Sequence, residues 1–200
     1  MINLLKKLKI IFFFKSDLYN FIINKKIDEK IQYNPESLWT GSKSNGLKII
    51  DGFLNYQKET IFIDEDVWKR NHGSQSWNNY LNSFMWIPDV RAVGTNQARL
   101  FLRKKILDWM EDSDYSNQHI WSEDVLAKRI FYLLTNLSFF FETANESFQK
   151  KFAKNINKQC VLLLNSFNHK EENIFTVKSL ILSTLCFENQ KKNYSYIIDQ

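Results

Sequence analysis

Two hundred residues, 44% of them hydrophobic and 16% aromatic, exclude a disordered chain and supply ample material for a core. A net charge of +5 comes from 27 Lys and Arg scattered among 22 Asp and Glu. That balance speaks against nucleic acid as a partner, because nucleic-acid binding needs basic residues clustered on one face, and it is equally compatible with an acidic polysaccharide.

The chain opens with MINLLKKLKIIFFFKSDLYNFIIN. The apolar run is short and is interrupted by Lys15, Ser16 and Asp17, so it predicts neither a signal peptide nor a transmembrane segment. Leu4, Leu5, Leu8, Ile11 and Phe12 have the spacing of one helix face, with Lys6, Lys7 and Lys9 solvating the other. Localisation stays undetermined, with the cytoplasm favoured over the periplasm. YNPESLWTG then reads as a turn-rich connection. Ile49 to Tyr56 and Thr60 to Ile63 form two β-prone runs around Gln57-Lys58-Glu59, which predicts a small hairpin.

All five glycines (41, 46, 52, 73, 94) and both prolines (35, 88) fall within the first 94 residues. Gly and Pro interrupt helices. The sequence therefore divides into residues 1–94, with an N-terminal helix, a lead-in and the hairpin, and residues 95–200, a helical array. In the array, Ala98, Phe101, Leu102, Ile106 and Trp109 form the first apolar stripe. Ser122 is the expected cap of a second helix carrying Leu126, Ile130, Leu133, Leu134, Leu137 and Phe141. Thr143 and Glu146 match a capping box for a third, with Phe148, Phe152, Ile156, Cys160, Leu163 and Phe167. A fourth, from Ile174 to Phe187, is apolar nearly all round and wants cover on several sides. Leu180, Ile181, Leu182, Leu185 and Phe187 exceed what the preceding helices can bury. A fifth helix begins near Lys191.

Cys160 and Cys186 sit among apolar residues and read as buried thiols rather than a disulfide or ligand pair. His72, His119 and His169 are isolated, so no metal site and no cofactor are expected. Tyr115 and His119 lie four residues apart in a polar turn, and the expectation is that neither is catalytic.

SFMWIPDVRAVG (83 to 94), ILDWM (106 to 110), IWSEDVLAKRIFYLL (120 to 134) and TVKSLILSTLCF (176 to 187) occur in an order and spacing that resembles the N-terminal region of bacterial heparinase II/III-family proteins. PESLWTG (35 to 41) followed by GLKIIDGFL (46 to 54) resembles the lead-in to that region. The resemblance implies a mainly α fold, an incomplete (α/α) toroid of antiparallel helix hairpins with a small N-terminal β-hairpin. It implies a polysaccharide lyase acting on uronic-acid-containing polysaccharide by β-elimination. In such lyases a base removes the C5 proton, a donor neutralises the uronate carboxylate, and an acid assists the leaving oxygen. Tyr, His and Asn supply these roles in a cleft between the toroid and a β-sandwich. The sequence ends before the family's Gly-, His- and Asn-bearing motif. The chain is thus expected to be truncated, to carry no catalytic residue, and to need a C-terminal toroid and β-sandwich portion as partner.

Four residues are candidates for substrate contact on this reading: Trp86, Arg91, Trp121 and Arg129. A Trp face stacks on a pyranose, and Arg binds a carboxylate through two N–H groups. Each has a structural alternative. Trp121 can pack on its own helix's first turn, Arg129 can pair with Asp124 or Asp89 or cap a helix end, and Arg91 can pair with Asp89. The competing functional class is a helical protein-interaction module without catalytic activity. A nucleic-acid or membrane-surface binder using the basic N-terminal helix is the weakest reading.

Overall fold

The computed structural model describes residues 28–69, 72–114, 117–167 and 173–198. The expected N-terminal helix, Tyr115 and His169 lie outside the described residues. The lead-in from residue 28 runs extended across the ends of two later helices. The Asp28 carboxylate accepts from the Asn189 N–H (2.8 Å), the Gln32 N–H donates to the Cys186 carbonyl (2.9 Å), and the Cys186 thiol donates to the Tyr33 carbonyl (3.4 Å).

Helix α1 (Lys43–Ile50) follows, capped by the Ser42 hydroxyl, and then strands β1 (Phe53–Tyr56) and β2 (Glu59–Phe62). The strands are antiparallel, with Phe53 opposite Phe62 and Tyr56 opposite Glu59. The hairpin is thus shorter than its sequence suggested. Ile49 and Ile50 belong to α1, and Gln57, at φ 54°, takes the turn. Among the described residues this is the only sheet.

Three helices occupy stretches where Gly and Pro suggested interruption. They are α1, α2 (Gln75–Asn82) and α3 (Ile87–Val93). Pro88 lies in the first turn of α3 and Gly94, at φ 74°, ends it, so each marks a boundary, where such residues are favourable. Gly46 lies inside α1 because α3 leaves no room. A Cβ there would meet the Asp89 carbonyl oxygen at 2.1 Å.

The helical array comprises α4 (Asn96–Asp112), α5 (Glu123–Leu134), the single turn α6 (Leu137–Phe140), α7 (Glu146–Ser166) and α8 (Ile174–Cys186). A 3-10 helix (Glu188–Asn193) and α9 (Tyr194–Ile198) follow. The chain is mainly helical. Thr95 caps α4 through the Ala98 N–H. Two expected caps are corrected. Ser122 precedes α5, but its hydroxyl donates to the His119 carbonyl (2.8 Å) instead. The cap of α7 is Asn145, not Thr143, whose hydroxyl accepts from Arg103 (2.7 Å). Arg99 and Arg103 donate from α4 to the carbonyls of Phe139 and Phe140 (2.8 and 2.7 Å), supplying partners for backbone oxygens that a short helix leaves open.

Helix α5 packs against α2, α3, α7 and α8. Toward α5, α8 turns a face of small polar residues. Ser179 donates to the Ala127 carbonyl (2.7 Å) and Thr176 to the Glu123 carboxylate (3.0 Å). Leu180 and Phe187 are fully buried and Ile181 and Leu182 half-buried, while Leu185 is exposed. The apolar excess of α8 is therefore smaller than its composition suggested. The lead-in and the 3-10 helix supply cover that the preceding helices do not.

Candidate functional site

Val125, Arg129 and Leu133 repeat every four residues along α5 and all point inward. Arg129 is 0% exposed. Its Nε donates to Gln159 Oε1 (2.7 Å), and its Nη1 donates to the carbonyls of Asn82 (3.1 Å) and Ile120 (2.9 Å). Asn82 is the last residue of α2, so this bond satisfies a helix-end oxygen. The guanidinium lies over two indoles that also pack against each other, 4.4 Å from the Trp109 ring centre and 4.7 Å from that of Trp121. Burying such an ion costs several kcal/mol. Hydrogen bonds from a charged donor return about 1.5–3 kcal/mol each, and a desolvated cation–π contact returns about 2 kcal/mol, so the site is stable only as a complete set.

The expected pairing of Arg129 with Asp124 or Asp89 is not the one made. Asp124 pairs with Lys128 (2.7 Å), and Asp89 accepts from the Ser42 N–H (2.7 Å). Capping of a neighbouring helix end, the other structural alternative, does occur. Trp121 is 6% exposed and its indole N–H donates to the Asp114 carbonyl (3.2 Å). Trp86 is 0% exposed, donates to the Leu81 carbonyl (3.0 Å), and packs at 5.4 Å from Phe84. Trp86, Trp121 and Arg129 thus meet in one core with Trp109 and Phe84, and none presents an open face to a sugar.

Arg91 lies apart from them. Its guanidinium donates to the Trp39 carbonyl rather than pairing with Asp89. Burial lowers its pKa. The bond pins an extended segment on which Leu38 and Trp39 are 98% and 73% exposed.

Acid–base chemistry finds no assembled machinery among the described residues. His119 is exposed in a turn. Burial raises the pKa of Tyr80, which stacks on Tyr56 at 4.2 Å, and that of Tyr132, so both remain protonated. Cys160 and Cys186 are buried free thiols. Burial pushes Cys160 well up and Cys186 up to about 12, leaving neither as a nucleophile at neutral pH. No group of three or more His, Cys, Asp and Glu gathers to hold a metal ion among the described residues, and no described helix is long and apolar enough to cross a membrane.

Two surface grooves flank α4. One, of about 460 Å³, is lined by Ile50 and by Asn96, Gln97, Leu100, Phe101 and Lys104 of α4's outer face. The other, of about 260 Å³, lies between α4 and α7 and carries lysines on its α7 side. Its signal is three lysines at 151, 154 and 158, which is helical spacing. No protein-family model, curated protein or solved structure matches the chain.

Proposed function

We propose that this chain is the N-terminal helical portion of a heparinase II/III-like polysaccharide lyase, part of an (α/α) toroid, acting on uronic-acid-containing polysaccharide by β-elimination and inactive by itself. One observation carries the reading. Three separate segments that bear the resemblance, 83–94, 106–110 and 120–134, converge on one cluster of Phe84, Trp86, Trp109, Trp121 and Arg129. The resemblance is thereby a property of one packed unit rather than of scattered residues. Elimination needs a base at C5, a donor for the carboxylate and an acid at the leaving oxygen. The described residues bring no such trio together, and of the four proposed contact residues only Arg91 lies outside the buried core, so the chain's part is chiefly scaffold.

Elimination creates a conjugated double bond that absorbs in the ultraviolet. The pure chain, incubated with heparan sulfate, alginate and chondroitin, should give no sustained rise in absorbance. It should nevertheless be retained on immobilised acidic polysaccharide and not on dextran. A sustained rise abolished by Tyr115→Phe or His119→Ala would show that the chemistry resides here, and absence of retention would remove the substrate-contact role. A helical interaction module without catalytic activity is the second reading. It is favoured by the burial of Trp86, Trp121 and Arg129 together with the exposure of Leu38, Trp39, Ile174 and Leu185. That reading predicts no retention on either matrix, and concentration-dependent association in light scattering.

A further inference from the structure

We propose that the flank built on α1 pairs two copies of this chain about a two-fold axis, with Trp39 of each copy seated in the groove between α1 and α4 of the other. The proposal is independent of the polysaccharide-lyase reading. The segment before α1 is fastened to α3 at three points. Arg91 donates to the Trp39 carbonyl, the Ser42 N–H donates to the Asp89 carboxylate (2.7 Å), and Gly41, at φ 70°, lies so close to Pro88 that a Cβ would meet its carbonyl oxygen at 2.1 Å. Leu38 and Trp39 are nevertheless 98% and 73% exposed. A fastened backbone that holds two large apolar side chains in water has already lost much of the entropy that binding would cost, which suits an interface anchor. The apolar surface continues along α1, which packs on α3 and β1. Leu47 and Leu100 are 47% and 52% exposed, and Phe53 and Phe62, in edge contact at 5.4 Å on the hairpin, are 47% and 56% exposed. These six fractions amount to nearly four whole side chains, or roughly 750 Å² at about 200 Å² each. That exceeds the roughly 300–600 Å² of the largest apolar patch on a typical monomer. It approaches the roughly 800 Å² that each partner buries in a stable interface.

Two further features select a second copy of this chain as the occupant. The first is that knob and groove sit at opposite ends of α1. Trp39 precedes its first turn, and Ile50, its last residue, lines the groove of about 460 Å³ together with Leu100 and Phe101. That volume falls within the roughly 300–1,000 Å³ of pockets that enclose a sizeable ligand, so an indole fits. A two-fold axis across the middle of α1 sets two such helices antiparallel and brings each Trp39 to the other copy's groove, as a self-complementary interface requires. The second feature is charge. Lys43 opens α1 and Asp51 closes it, and both are exposed. Each stands at the helix end where the helix dipole disfavours its sign. An antiparallel neighbour reverses that disadvantage, because an axis through Leu47 places Lys43 of one copy opposite Asp51 of the other. Leu47 then meets its own counterpart at the axis.

Sedimentation equilibrium of the full chain at micromolar concentrations is the test, and a reversible dimer is the expected result. Trp39→Ser removes an anchor from both halves of the interface at once and should weaken pairing by about a hundredfold or more. Lys43→Glu and Asp51→Lys should each weaken it by about three- to tenfold. The double variant Lys43→Glu/Asp51→Lys should restore it, because the exchanged charges meet again across the axis. Leu185→Ser, on α8, should leave it unchanged. Both charge changes suit the dipole of α1, and circular dichroism of each variant checks the fold, so loss of pairing is told apart from loss of folding. A monomer at every concentration would leave this flank to another kind of partner and overturn the proposal. A dimer indifferent to Trp39→Ser, or one dissolved by Leu185→Ser, would place the contact elsewhere and overturn it too. Open-ended assemblies, or a double variant as weak as either single one, would overturn the two-fold arrangement. Retention on polysaccharide is read separately, so none of these outcomes decides the proposed function.

Discussion

Arg129 and Lys158 are both cations carried inward on helices, at 0% and 7% exposure, yet their surroundings differ in kind. Around Arg129 the partners are fixed protein groups, two backbone carbonyls, one side-chain amide and two indoles. The groove of Lys158 is open, and its neighbouring lysines face carboxylates at 3.8 and 3.9 Å. A cation closed in by protein acceptors holds elements together. Lys158 lines an open groove instead, and burial there disfavours its positive charge. Gln159 links the two environments, accepting from Arg129 and donating to Asn155, which lines the groove.

The comparison is broken most severely at its closed end. Arg129→Ala should cost about 4 kcal/mol, because it strands the Asn82, Ile120 and Gln159 acceptors and removes the cation from the faces of Trp109 and Trp121. Urea unfolding followed by fluorescence measures it. Gln159→Leu should cost about 2 kcal/mol by leaving the Arg129 Nε–H without its acceptor, and the same titration reads it.

The two sides of α7 also differ in their response to pH. Cys160 lies on the core side, and Cys186 closes α8. Both folded-state thiol pKa values are raised by burial. A raised folded pKa leaves stability complete below the unfolded value, near 9.0, and removes it as pH rises toward the folded one. Stability should fall above pH 9 by about 1.4 kcal/mol per pH unit for each such thiol. Replacing both with Ala should remove the thiols' share of the alkaline slope, leaving the later one of Tyr80 and Tyr132, as urea midpoints at pH 8, 9 and 10 would reveal. The smallest effect belongs to the groove side. Lys150→Gln and Lys151→Gln should each leave the urea midpoint essentially unchanged, since both side chains are more than half exposed.

Much of this was legible from residue order alone. The stripes Ala98-Leu102-Ile106-Trp109 and Phe148-Phe152-Ile156-Cys160-Leu163 are buried as their periodicity implies, while Phe101 and Phe167, expected on the same stripes, are only partly buried. The hairpin was found, displaced at its first strand because β-prone Ile49 and Ile50 complete a helix begun by the Ser42 cap. Helices α1 and α3 were missed because Gly and Pro were weighed as breakers, when Gly46 serves close approach and Pro88 and Gly94 serve as ends. Trp86, Trp121 and Arg129, proposed as substrate contacts, lie in the buried core. Their destination depends on carbonyls at residues 82 and 120 and on an amide at 159, a tertiary coincidence that spacing does not encode. The lysine face of α7 was overlooked because its opposite wall comes from α4, some forty residues earlier.

The urea midpoint of Arg129→Lys tests the structural role of Arg129 most directly. Lysine keeps the charge but loses the planar fork that spans three acceptors and packs against two indoles. The account predicts a loss of about 2 kcal/mol with unchanged helix content. Stability equal to that of the unmodified chain would contradict it, and would return Arg129 to the set of residues held in reserve for a ligand.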